Sequence, residues 1–198
     1  MTEDSPRVPD LIIDRAVELW CRALATPLHD NGDRSEAGFI TRGMAAMNAE
    51  SAIAEVDDYA AAIERFRERL STTLKFQRDN EGKPTGETNS WGDVHYHLER
   101  HLETDYRPCE TLAAAAREAG VPAKAFSWKS DVSFWADDHV SSKFGYAAQT
   151  LYHYPLSDGS WLICELRGPQ MPLIIKAVEE GRLPELTVEP VAKAMVSA

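Results

Sequence analysis

The chain has 198 residues, 43% of them hydrophobic and 27% charged, which is globular composition with enough apolar material for a sizeable core in one domain. Basic residues number 21 against 32 acidic ones, and the formal charge of -11 disfavours general binding to phosphate backbone. No apolar run nears the ~20 residues of a bilayer span, and the acidic start MTEDSPRVPD lacks the basic-then-apolar order of a secretory signal, so a cytoplasmic location without membrane contact is expected.

Pro9 and Asp10 open a helix whose stripe is Ile13, Ala16, Val17, Trp20 and Leu24, closed by Pro27. In the loop HDNGDRSE, Asn31-Gly32 marks a tight turn; Asp30 and Asp33 flank it, but their spacing does not match a calcium loop. A helix over 37–49 is expected to bury Phe39, Ile40, Met44 and Met47. The clearest periodicity comes next, with Ile53, Val56, Tyr59, Ile63, Phe66, Leu70 and Leu74 recurring at threes and fours. On its polar side Glu64 with Arg67 and Arg65 with Glu68 are spaced as ion pairs. The segment 77–90, QRDNEGKPTGETNS, reads as a polar loop between a helical region, 1–76, and an α+β region, 91–185, with 186–198 as a tail.

The stretch DVHYHLERHLETDY, 93–106, carries three of the six histidines and four carboxylates. Every odd position from Asp93 to Asp105 is polar, which favours a half-buried strand; a helix, with a stripe at Trp91, Val94, Leu98, Leu102 and Tyr106, competes. On a strand, His95 and His97 project from one side about 7 Å apart and would share a divalent metal only if rotamers converged and other ligands joined, with Glu99 as ligand or general base. On a helix, His97 and His101 stand four apart like two zinc ligands, without the HExxH motif. The plain alternative is a row of solvent-facing polar side chains with no cofactor.

After Pro108, CETLAAAAREAG reads as a helix with Gly120 at its end. Joined to VPAKAF it resembles the start of a helix-turn-helix, in which Lys124, Ser127 and Lys129 would meet DNA, but VSFW turns extended too soon for a recognition helix. Asp137 and Asp138 form a polar turn. QTLYHYPLSDGSWLICEL reads as a hairpin about Asp158-Gly159. A two-residue loop would set Tyr154 opposite Ile163 and His153 opposite Cys164, a pairing that suits either an activated thiolate or core packing. Tyr152, Tyr154 and Trp161 would line the other face, as a second packing surface or as an exposed partner-binding patch. A last helix from Pro172 carries Leu173, Ile174, Ala177 and Val178 and ends at Gly181. Cys21, Cys109 and Cys164 are too scattered for a disulfide framework or a zinc motif.

Helices followed by a small antiparallel sheet crossed by two helices predict an α+β domain. No phosphate loop or nucleophile elbow is present. The stretches DNGDRSEAGFITRGMA, AAREAGVPAKAFSWKSDV and FGYAAQTLYHYPLSDGSW resemble segments of small uncharacterised proteins carried by bacteriophages and prophages. That resemblance implies an accessory role, binding a host or phage macromolecule, and brings no catalytic residue with it. The expected function is therefore that of an acidic protein that binds another macromolecule, most naturally a protein, without chemistry of its own. A metal-dependent hydrolase on His95, His97, Glu99 and His101 and a DNA-binding regulator are the alternatives.

Overall fold

In a computed structural model of the chain, the described residues are 7–25, 43, 47, 50–81, 84–88, 94–96, 100–105, 107–127, 129–134, 139–145 and 148–190; for 84–88 and 94–96 the backbone alone is described. The fold is α+β, with a helical N-terminal half and a six-stranded antiparallel sheet. Helix α1 spans Asp10–Ala25, and its apolar stripe is buried. Helix α2 spans Tyr59–Asp79 and buries Ile63, Phe66, Leu70 and Leu74. Helix α3 spans Glu110–Ala119 and α4 spans Met171–Glu179.

The periodicity from Ile53 to Leu74 is not one helix. Residues 50–54 are helical, the chain then turns, and α2 starts anew at Tyr59. Asp58 sets this boundary: its carboxylate accepts the Ala61 backbone N–H at 3.0 Å, satisfying one of the donors that a helix start leaves unpaired. Ile53, ahead of the break, is correspondingly exposed. We expect Asp58→Ala to lower stability by about 1 kcal/mol in chemical denaturation, with the loss confined to fraying of the first turn of α2 in amide exchange. The expected 37–49 helix lies largely outside the described residues, but Met47, expected to be buried, is exposed. The Asp30, Asp33, Asp137 and Asp138 turns also lie outside them.

Strands β1 (Pro84–Thr88) and β2 (Val94–Tyr96) pair as a separate two-stranded sheet. The large sheet runs in chain order: β3 (His101–Thr104), β4 (Ser130–Phe134), β5 (Val140–Lys143), β6 (Leu151–Pro155), β7 (Trp161–Cys164) and β8 (Thr187–Glu189). Two boundaries therefore move. Part of the expected polar loop is β1, and the expected tail supplies β8 as the sixth strand.

One face of the sheet carries Leu102, Val132, Phe134, Val140 and Trp161 into the main core with α1, α2 and α3. Trp20 from α1 meets the rings of Phe126 and Phe144 there, and Phe66 from α2 meets Phe126. Arg65, expected to pair with Glu68, instead donates its Nε to the Ala119 carbonyl at 3.1 Å, where the end of α3 leaves acceptors free. Arg67 does bond Glu64, at 3.1 Å. The opposite face is divided. Over β6 and β7 it packs Tyr154, Leu156, Leu162 and Cys164 against Met171 of α4. Over β3, β4 and β5 it is polar.

The 153–164 hairpin forms, but one residue out of the expected register. Leu156 N donates to Ser160 O and Gly159 N to Leu156 O, so the loop is the three residues Ser157, Asp158 and Gly159, with Gly159 at φ 84. A glycine there suits a three-residue loop with a bulge as well as it suits a two-residue turn. The consequence is a shift in every facing pair: Tyr154 opposes Leu162, His153 opposes Ile163 and Cys164 opposes Tyr152.

Candidate functional site: two serine–histidine pairs on opposite faces of one sheet

The shifted register reassigns the candidate residues of the hairpin. Cys164 and His153 lie on opposite faces, which rules out a thiolate activated by that imidazole; Cys164 Sγ instead reaches the Leu166 carbonyl at 3.6 Å. The three aromatics do not form one exposed patch. Tyr154 is 1% exposed in the small core beneath α4, Trp161 is 5% exposed in the main core on the other face, and Tyr152 is half-buried.

The histidine stretch is also divided. Val94–Tyr96 belongs to the two-stranded sheet and His101–Thr104 to the large one, so 93–106 is not one strand. Arg100 lies between them and pairs its guanidinium with Glu81. The side chain of His95, and all of His97 and Glu99, lie outside the described residues, so His101 alone of the four proposed ligands can be placed. Among the described residues no three His, Cys, Asp or Glu side chains converge as a metal-ligand set. In β3 the alternation holds as expected: Leu102 and Thr104 point inward while His101 and Glu103 point outward.

The outward rows of β3–β5 form the candidate site. Pairing sets His101 beside Ser133 and Ser133 beside Ser141; one row on, it sets Glu103 beside Asp131 and Asp131 beside Lys143. His101 Nδ1 lies 2.6 Å from Ser133 Oγ, and its Nε2 lies 3.1 Å from Glu103 Oε2. A carboxylate only accepts, so the neutral ring carries its proton on Nε2 toward Glu103, leaving Nδ1 to accept from the Ser133 hydroxyl. Burial pushes the Asp131 carboxyl above the usual range and Glu103 opposite it adds to this, against the charge of Lys143 and that of the His101 ring in its protonated form. Alongside lies an open groove of about 590 Å³, lined among others by Thr104, Ser130, Lys129 and Lys143. Lys129 enters β4 with a left-handed φ of 56, a conformation rare outside glycine, and pairs with Asp105.

The second pair is inside. Ser142 Oγ lies 2.8 Å from His153 Nε2, and His153 Nδ1 lies 3.0 Å from Arg15, whose side chain is 1% exposed. Arg15 reaches from α1 over the Trp161 ring, 5.1 Å from its centroid, and donates to Glu189 of β8 at 2.7 Å and to Glu18 at 2.9 Å. Arg22 closes the network by pairing with the same two glutamates. A guanidinium has donors only, so Nδ1 of His153 must be the bare nitrogen and Nε2–H must donate to Ser142. That polarity is the reverse of the outer pair: this imidazole cannot take the serine proton. Burial, reinforced by the Arg15 charge, depresses the His153 pKa to about 3. Glu189, although its partial burial acts upward, is held at about 2 by Arg15 and Arg22. The inner network is thus a neutral imidazole and ion pairs that fasten α1 to β5, β6 and β8.

Among the described residues no second helix of a helix-turn-helix follows α3 before β4. Gly120 ends α3 at φ 78, but a single 3-10 turn, Ala123–Ala125, replaces a recognition helix before β4 begins. Of the would-be contacts, Lys124 pairs with Glu55 and Ser51, and Lys129 pairs with Asp105. Comparison with protein-family models, curated proteins and solved structures returns no match.

Proposed function

We propose that the protein is an accessory, regulatory protein of the phage-borne kind, binding a protein partner through the outward rows of β3, β4 and β5. The observation that supports this reading is the division of the sheet's second face. α4 seals the apolar half, while the other half presents His101, Glu103, Asp131 and Lys143 on a rigid scaffold without a described helix above them. The -11 charge and the Glu103–Asp131 row favour a partner with a basic surface. No cofactor is needed for such a role. Cys21, Cys109 and Cys164 form no disulfide, which suits a reducing cytoplasm.

Site-specific photocrosslinking tests the reading. A crosslinker at Glu103 is expected to capture one defined partner, whereas one at Arg117, exposed on α3 in the helical layer, captures none. The pair Glu103→Lys and Asp131→Lys together should reduce capture about tenfold or more, with the loss deepening as salt falls. Equal capture from both sites, or capture indifferent to these charges, would overturn it.

A further inference from the structure

We infer that Ser133 is a nucleophile toward acyl esters, with His101 as its general base and Glu103 as the positioning residue. The inference adds a covalent step to the outer face and stands independently of partner binding, because a small ester requires no partner.

Three features carry it. The 2.6 Å contact joins the Ser133 hydroxyl to the His101 nitrogen that the Glu103 bond leaves unprotonated. The three residues come from neighbouring strands at fixed register, so the geometry is held by the ladder and not by a loop. His101 and Glu103 are each about half exposed while Ser133 is 8% exposed, and the groove begins one row along the strands, at Glu103 and Asp131, so an acyl donor reaches the hydroxyl from the His101 side. The buried Ser142–His153 pair serves as the internal comparison: a similar separation, but Arg15 fixes the proton on the nitrogen that faces the serine.

In the reaction with p-nitrophenyl acetate, the Ser133 Oγ–H proton passes to His101 Nδ1 as the bond from Oγ to the acetyl carbon forms. The bond from that carbon to the nitrophenolate oxygen then breaks, and nitrophenolate leaves. The Nδ1 proton is released to solvent, restoring the neutral ring, and the Nε2 proton stays on the ring toward Glu103 throughout. The product is acetyl-Ser133.

The test is peptide mapping of the full-length protein after brief exposure to p-nitrophenyl acetate. Acetyl is expected on Ser133 and not on Ser142. His101→Gln should slow the modification about a hundredfold, and Ser133→Ala should abolish it at that peptide. Glu103→Ala should shift the neutral His101 ring toward the Nδ1–H tautomer in nitrogen NMR spectra, a change that a purely structural carboxylate would not produce. As a second handle, the Ser133→Cys thiol should react with iodoacetamide about a hundredfold faster than Ser133→Cys combined with His101→Gln. Acetylation confined to lysines, or rates at position 133 that ignore His101 in both formats, would overturn the inference and leave the crosslinking test of partner binding untouched.

Discussion

Arg15→Met is expected to lower the unfolding free energy by about 3–5 kcal/mol, the usual cost of removing one partner from a buried, hydrogen-bonded charge network. The substitution keeps the apolar stem against Trp161 but takes the donor from His153 Nδ1 and leaves Glu189 and Glu18 with Arg22 as their remaining cation in the network. Because Glu189 belongs to β8, the last strand of the sheet, the loss should appear there first, as accelerated amide exchange in Thr187–Glu189 ahead of β4 and β5. Urea denaturation measures the total. A cost below about 1 kcal/mol would mean that hydrophobic packing alone holds α1 on the sheet.

The second large effect is on the pH dependence of stability. In the unfolded chain His153 takes up its proton near 6.5, whereas in the folded protein burial and Arg15 hold it to about 3. The unfolded state therefore binds more protons between those values, so the contribution of His153 is complete above pH 6.5 and is lost as pH falls toward 3. Glu189, lowered from 4.5 to about 2, acts in the same direction but only below pH 4.5. The interval from pH 6.5 to 4.5 thus separates the histidine from that carboxylate. Over it, wild-type stability should drop by roughly 2–3 kcal/mol more than that of His153→Gln, whose amide can accept from Arg15 and donate to Ser142 without taking a proton. Parallel curves for the two proteins would show that His153 titrates freely and that the inner network is not as described.

The parts legible in the sequence were those encoded by local period. The stripes of α1 and α2, glycine at the end of α3, and the outward alternation of His101 and Glu103 all follow from spacing within one element. What was not legible depends on pairing between distant segments. Ser133 meets His101 only because β3 and β4 adopt one register, which nothing in VSFW announces. The hairpin went wrong by a single residue because Asp158-Gly159 satisfies two loop lengths, and that one residue carried Trp161 and Tyr154 to opposite faces and separated Cys164 from His153. Arg15 did leave a trace: it stands three residues after Ile12 and four before Leu19, both buried, so a charge there needs a buried partner, and Glu18 three residues on is spaced to supply one. β8 is three residues long, too short for any period to register.

Nitrogen NMR of the histidine rings tests the central claim most directly, namely that the inner imidazole is a neutral strut while the outer one is poised to accept a serine proton. The prediction is that His153 remains neutral, with its proton on Nε2, from pH 8 down to about 4, and that neutral His101 carries its proton on Nε2 with Nδ1 bare toward Ser133. A His153 ring that takes up a second proton near its ordinary 6.5, or that carries its proton on Nδ1, would contradict the account.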